Sequence, residues 1–112
     1  MKTKEVVYRG SDNIFADIGV SHPERVLARA QIMFHIAEII RKRGLAQKQA
    51  ADMLHIPQSK VSCLMNGKLI NFSMDHLFEF LNALDTDVKI IVEPKPKQEK
   101  IATTNVFIGS SL

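Results

Sequence analysis

The sequence has 112 residues, which is enough for one domain with its own hydrophobic core and too few for two independent ones. Charged residues interrupt every apolar stretch, so none approaches the ~20 residues that a bilayer span needs, and no basic-then-apolar leader opens the chain. These features argue against a membrane protein and predict a soluble, cytoplasmic one. The single cysteine, Cys63, rules out an internal disulfide and fits a reducing compartment.

The net charge of +3 is unevenly distributed along the chain. Residues 1–40 sum to zero, whereas residues 41–68 hold six basic side chains and one acidic one. Residues 69–93 carry a net charge of −4, and residues 94–112 carry +2. A basic block inside a nearly neutral chain is typical of a module that binds a polyanion, although an ordinary solvated face gives the same count.

The first helix is predicted to follow an N-terminal arm. Residues 1–20 show no sustained periodicity and are interpreted as that arm. Ser21, Pro23 and Glu24 then resemble a helix start, with a serine cap and a proline in the first turn. Gly44 can adopt the left-handed conformation that ends the helix. The apolar stripe expected to pack on the core consists of Val26, Leu27, Ala30, Met33, Phe34, Ala37 and Ile40.

Three shorter helices are predicted after Gly44. Residues 45–54 form the second helix and residues 58–66 the third, which Gly67 would close. A fourth helix begins at Ser73, whose hydroxyl can cap it. The domain is therefore expected to be mainly helical.

The hydrophobic period changes from helical to alternating after the fourth helix. Val88, Ile90 and Val92 would lie on one side of a short strand. A lone strand leaves its backbone groups unpaired, so it needs a partner in the arm, in a second subunit or in another protein. We favour a second subunit. Residues 94–112 begin with a charged, proline-containing linker and are expected to form a flexible basic tail, which leaves residues 21–93 as the domain.

The second and third helices form a helix-turn-helix candidate, since both are short and only a tight turn separates them. Ala51 would supply the small side chain where the two helices cross, and Val61 with Leu64 would supply the inner face of the third helix. Glutamine and serine suit base edges, and lysine suits phosphate or guanine. The residues left on the polar side of that helix are Gln58, Ser59, Lys60, Ser62 and Cys63.

The run from Leu45 to Lys68 resembles the helix-turn-helix of the repressor and Cro-like (XRE) family. The flanking residues 13–19 and 72–92 are similar to the HigA-like antitoxin branch, so the resemblance covers residues 13–93. It implies a repressor-like bundle of about five helices, here followed by the short C-terminal β-strand. It also implies a homodimer on a palindromic DNA operator, and often a partner toxin of the RelE or HigB type.

The resemblance also implies roles for single residues, carried over by position and combined with the polar side of the third helix. The residues expected to contact bases are Gln58, Ser59, Ser62 and Cys63. The residues expected to contact phosphates are Gln47, Lys48, Lys60, Asn66 and Lys68. Two positions depart from the family pattern. Ala46 replaces the usual serine or threonine cap, at a cost of about 1 kcal/mol, and His55 replaces a glycine in the turn.

The sequence indicates no catalytic, metal or cofactor site. Its four histidines do not pair with one another at a helical i, i+4 step or with cysteine at finger-like spacing. Cys63 has no histidine at a spacing typical of a nucleophile, and no glycine-rich phosphate loop is present. We therefore expect neither an enzyme nor a bound cofactor or metal.

Two functions remain open at this point. The first is a sequence-specific DNA-binding repressor, an antitoxin that represses its own operon. The second is a protein-interaction module that neutralises a toxin with little DNA binding of its own, for which the net charge of −4 over residues 69–93 is the motive. If DNA binding is absent, the helix-turn-helix would be part of a structural three-helix core, and its charged side chains would simply be solvated.

Overall fold

The computed structural model describes residues 23–109, so the predicted arm at residues 1–20 and the proposed cap Ser21 lie outside the described residues. The chain divides into a helical unit, Arg29–Lys89, and a second unit made of residues 1–28 and 90–112. The described helices are α1 (Pro23–Lys42), α2 (Gln47–Leu54), α3 (Gln58–Met65) and α4 (Met74–Ala83), with one 3-10 turn at Leu69–Asn71. None of them is long and apolar enough to cross a bilayer.

Each of these four helices ends at a residue in the left-handed conformation. The backbone N–H of Leu45 donates to the Ile40 carbonyl at 3.1 Å, and that of Lys68 donates to the Cys63 carbonyl at 3.0 Å. Both bonds satisfy carbonyls that a helix end leaves free. The four residues are Gly44 (φ 65°), His55 (φ 59°), Gly67 (φ 72°) and Asp85 (φ 58°). The predicted ends at Gly44 and Gly67 are thus confirmed, and His55 adopts the left-handed conformation in the turn where the family usually has glycine.

The helical unit packs around one apolar core. Ala51 is buried beside the fully buried Ala50, and Val61 and Leu64 are buried on α3, as predicted for the helix pair. Because the α2–α3 pair rests on this core, one side of α3 is fixed inward. The other buried apolar residues of the unit are Ile32, Met33, Ile36, Ala37, Ile40, Leu54, Phe72, Leu77, Phe80, Leu81 and Leu84.

The buried face of α1 differs from the predicted stripe. Phe34, expected in the core, is 63% exposed, whereas Ile36, outside the predicted stripe, is 0% exposed. Met33, Ala37 and Ile40 are buried as expected. The helix is therefore rotated about its axis relative to the prediction, because apolar residues occur on more than one of its sides.

The predicted strand and fifth helix are absent from the described residues. Residues 88–92 are not paired as a strand, and Ile90 and Val92 are 69% and 91% exposed. A strand exists only where another strand pairs with it, and no segment between residues 23 and 109 does so. Residues 94–109 likewise contain no helix or strand. Whether they are flexible stays a prediction.

Candidate nucleic-acid interface

The two sides of α3 differ sharply in burial. Val61 is 0% exposed and Leu64 is 1% exposed, and both face the core. Successive residues of a helix are rotated by about 100°, which puts Ser59, Ser62 and Asn66 on the opposite side. Ser59 and Asn66 are exposed and Ser62 is half-buried. The polar side of α3 is thus free where sequence analysis expected it to be.

The residues predicted to contact bases share this side or the amino end of α3. Gln58 is the first residue of the helix and is exposed. Cys63 is a half-buried free thiol next to the polar side. The Asn66 amide nitrogen donates to Ser62 Oγ at 3.5 Å, which connects two of the candidates one turn apart. Together these side chains form a surface of amides, hydroxyls and one thiol, which offers both donors and acceptors to a base edge.

The residues predicted to contact phosphates fall into two groups. Gln47 and Lys48 are exposed in the first turn of α2, and Lys68 is exposed just after α3. Lys60 differs from them because its ammonium donates a hydrogen bond to the Asn71 carbonyl at 3.0 Å. The Lys60 side chain is half-buried, and its ammonium is already engaged within the chain.

The basic block of residues 41–68 is only partly available to an external anion. Arg43 donates to the Leu84 carbonyl, and Arg41 lies 3.8 Å from Glu38. Lys60 is bonded within the chain, as described above. The three cations of the block that are exposed and make no hydrogen bond or ion pair with other described residues are Lys42, Lys48 and Lys68.

Arg29 is a structural cation that sequence analysis missed, as is Arg43. The Nη1 of Arg29 donates to the carbonyls of Leu69 and Phe72, at 3.2 and 2.9 Å, although these residues are far away in sequence. Arg29 stands three and four residues before the buried Ile32 and Met33, so it extends the buried side of α1. A charged residue on the same side of α1 as Ile32 and Met33 could have indicated this role, but only if that side had been predicted to be buried.

No metal-binding cluster of histidine, cysteine and acidic side chains occurs between residues 23 and 109. Two surface grooves in the helical unit have volumes of about 450 and 410 Å³. The first lies between the α2–α3 turn and α4, and the second lies between α1 and the carboxyl end of α3. Both are open to solvent, and neither is lined by the predicted base-contacting residues Gln58, Ser59, Ser62 and Cys63.

Comparisons with known proteins agree with this geometry. The helix-turn-helix domain family matches residues 14–93, close to the range of the resemblance. A solved structure assigned to the XRE family of transcriptional regulators has a TM-score of 0.74 and 36% identity to this chain. The match covers 77% of this chain and 97% of that one. No curated protein matches the sequence. The chain belongs to the XRE family of helix-turn-helix proteins.

Proposed function

We propose that this protein is a sequence-specific DNA-binding transcriptional regulator that acts as a repressor. The observation that carries the proposal is the exposed polar side of α3, opposite the fully buried Val61 and Leu64. An eight-residue helix is about 12 Å long and fits the major groove of B-form DNA. We propose no enzymatic role.

The proposed contacts divide into base reading and phosphate binding. Amide and hydroxyl groups can pair with base edges, whereas exposed lysines and amides anchor the backbone without reading sequence. The side chains proposed to read bases are Gln58, Ser59, Ser62 and Cys63. Those proposed to hold phosphates are Gln47, Lys48, Asn66 and Lys68, a set that leaves out Lys60 because its ammonium is bonded within the chain.

We also propose that the protein binds DNA as a homodimer. Two recognition helices must lie about 34 Å apart to enter successive major grooves on one side of a duplex. Pairing of residues 88–92 across a two-fold axis would supply the missing strand partner and bury the exposed Ile90 and Val92.

The DNA-binding proposal is tested by fluorescence anisotropy. The purified protein is titrated into a labelled duplex taken from upstream of its own gene and into a shuffled duplex of equal length. The upstream duplex should bind at least ~10³-fold more tightly, and log affinity should fall linearly with log salt concentration. Equal affinity for the two duplexes would contradict sequence-specific binding.

A matched pair of variants tests whether α3 is the binding surface. Ser59→Glu adds a negative charge to the polar side of α3, where it would repel phosphate. Gln31→Glu adds the same charge at an exposed position of α1. Ser59→Glu should abolish binding to the upstream duplex while Gln31→Glu should retain it. Equal affinities of the two variants would place the DNA surface elsewhere.

We further propose that the protein is the antitoxin of a toxin-antitoxin pair and represses its own operon. The supporting features are the net charge of −4 over residues 69–93 and the exposed apolar run Ile90, Ile91 and Val92. Each feature by itself suits a protein partner: the acidic charge suits a basic protein, for example a ribonuclease of the RelE or HigB type, and the apolar run offers area to bury. In this role the protein would act in the cytoplasm and need no cofactor.

The antitoxin proposal is tested with the adjacent open reading frame. Its product should arrest growth when expressed alone, and it should co-purify with this protein when the two are expressed together. A neighbour that is harmless, or that does not form a complex, would leave a free-standing repressor. A complex would instead favour the interaction module with little DNA binding if neither this protein alone nor the complex gave a specific footprint on the upstream DNA.

A further inference from the structure

The loop that follows α3 is held by two cations from two different helices. This loop, residues 66–72, connects α3 to α4 and contains the 3-10 turn. Arg29 of α1 donates to the carbonyls of Leu69 and Phe72, at 3.2 and 2.9 Å. Lys60 of α3 donates to the carbonyl of Asn71 at 3.0 Å. Three of the loop's carbonyls therefore accept hydrogen bonds from charged side chains.

The inner end of the loop is anchored at Phe72. This residue is 2% exposed, and its ring meets Phe80 edge to face with centroids 5.8 Å apart. The Lys60 ammonium lies 5.0 Å from the centre of the Phe72 ring, within range of a cation–π contact. Hydrogen bonds from cations are stronger than neutral ones, and partial burial strengthens them further. Lys60 thus fixes both the backbone and the anchoring ring.

The outer side of the same loop carries two of the proposed DNA contacts. Asn66 and Lys68 are exposed, and the Lys68 backbone N–H is tied back to the Cys63 carbonyl of α3. The Lys68 carbonyl accepts a hydrogen bond from the Asn71 N–H, the residue that Lys60 holds. The position of Lys68 is therefore coupled to Lys60 through two hydrogen bonds that meet at Asn71, one from the Lys60 side chain and one between backbone groups.

We propose that Arg29 and Lys60 are positioning residues, which hold the α3–α4 loop so that Asn66 and Lys68 are placed beside α3 for phosphate contact. This inference rests on the proposed DNA binding. It assigns Lys60 an indirect role, in contrast to the direct phosphate contact expected from the sequence. An ordered loop would bind DNA without first losing conformational freedom.

Salt dependence separates a positioning cation from one that contacts phosphate. Each phosphate contact contributes about −0.9 to the slope of log affinity against log salt. Lys60→Met removes the ammonium and keeps the aliphatic stem over Phe72, whereas Lys68→Ala removes a proposed contact. The probes are the upstream duplex and the shuffled duplex. Lys60→Met should weaken binding to the upstream duplex by about tenfold, the equivalent of one hydrogen bond, with an unchanged slope. Lys68→Ala should make the slope shallower by about 0.9.

The mechanism is tested by a rescue variant and by amide hydrogen exchange. Lys60→Arg keeps a cation that can reach the Asn71 carbonyl and the Phe72 ring, so it should restore affinity to within about twofold. Exchange at residues 67–72 should be about tenfold faster in Lys60→Met than in wild type or Lys60→Arg. Arg29→Lys, which retains a charge but loses the fork of the guanidinium, should also speed exchange in this loop.

Three results would overturn the inference. A slope made shallower by Lys60→Met as much as by Lys68→Ala would mean that Lys60 contacts phosphate. Unchanged loop exchange in both Lys60→Met and Arg29→Lys would mean that the cations do not order the loop. Failure of Lys60→Arg to restore affinity would mean that the loss of affinity in Lys60→Met does not come from loss of the positive charge. Failure of the proposed DNA binding can be told apart from failure of this inference. In the first case the wild-type protein would bind the upstream and shuffled duplexes equally, whatever the hydrogen-exchange rates of the loop.

Discussion

The side-chain carbonyl of Gln49 accepts a hydrogen bond of 2.8 Å from the backbone N–H of Ala46 at the start of α2. Gln49 thereby supplies one half of a capping box. The other half needs an acceptor side chain at position 46, and alanine has none. Ala46 nevertheless has the extended backbone of a cap residue, with φ −71° and ψ 158°. The start of α2 is thus arranged for a side-chain cap that the sequence does not provide.

Ala46→Ser should stabilise the helical unit. The serine hydroxyl can accept the free Gln49 N–H, which is worth about 1 kcal/mol and corresponds to a rise in Tm of about 4–8 °C for a domain of this size. Gln49→Ala should have the opposite effect, because it leaves the Ala46 N–H without its acceptor. Thermal unfolding followed by circular dichroism measures both. An unchanged Tm in Ala46→Ser would show that the new hydroxyl does not reach the helix end.

Gly67→Ala should destabilise the protein through the backbone alone. Gly67 has φ 72°, and a Cβ built there meets no atom within 4 Å. The left-handed conformation costs a residue with a Cβ about 1 kcal/mol or more, so the free energy of unfolding should fall by about that amount. Gly109→Ala is the matched control, since it also has open space but no positive φ. Urea denaturation compares the two, and equal effects would contradict a strain origin.

Local signals were sufficient to predict the helix pair. The bounds predicted for α2 and α3 agree with the structure to within two residues, because Pro57 separates the two helices and Gly67 closes α3. The Ser73 cap is also confirmed, since its Oγ accepts the His76 N–H at 3.2 Å. Capping and turn chemistry depend on residues only a few positions apart, so the sequence displays them directly.

Features that depend on distant parts of the chain could not be predicted in the same way. The hydrogen bonds of Arg29 join residues 40 and 43 positions apart, and nothing in the periodicity of α1 indicates them. Phe34 was predicted to be buried because α1 has apolar residues on several sides, and only packing selects one. Lys60 was interpreted as a surface cation because its acceptor, the Asn71 carbonyl, is a backbone atom that any residue type would supply.

Gln58→Ala and Lys68→Ala should affect DNA binding in different ways. Gln58 is exposed at the amino end of α3, where an amide can pair with a base edge. Its loss should reduce affinity for the upstream duplex by about 1–3 kcal/mol and leave the shuffled duplex nearly unaffected. Loss of Lys68 should weaken binding to both duplexes alike. Anisotropy titrations measure the affinity of each variant for both duplexes. If the two variants changed both affinities equally, the division into base-reading and phosphate-binding residues would be wrong.

Ile90→Lys should convert the proposed dimer into a monomer. If residues 88–92 pair with their own copy across a two-fold axis, Ile90 and Val92 lie on one side of the paired strands and Ile91 on the other. A lysine at position 90 would bring like charges together and remove apolar contact from that side. Ile91→Lys is the matched control, because Ile91 is also highly exposed, at 81%, and receives the same charge.

Light scattering coupled to size exclusion at micromolar concentration measures the mass of each variant. Wild type and Ile91→Lys should elute as dimers and Ile90→Lys as a monomer. A monomeric wild type would exclude this pairing. Dimers in all three samples would require an interface elsewhere. A paired strand that buries the side of Ile90 should be disrupted by a lysine at position 90 and not by one at position 91.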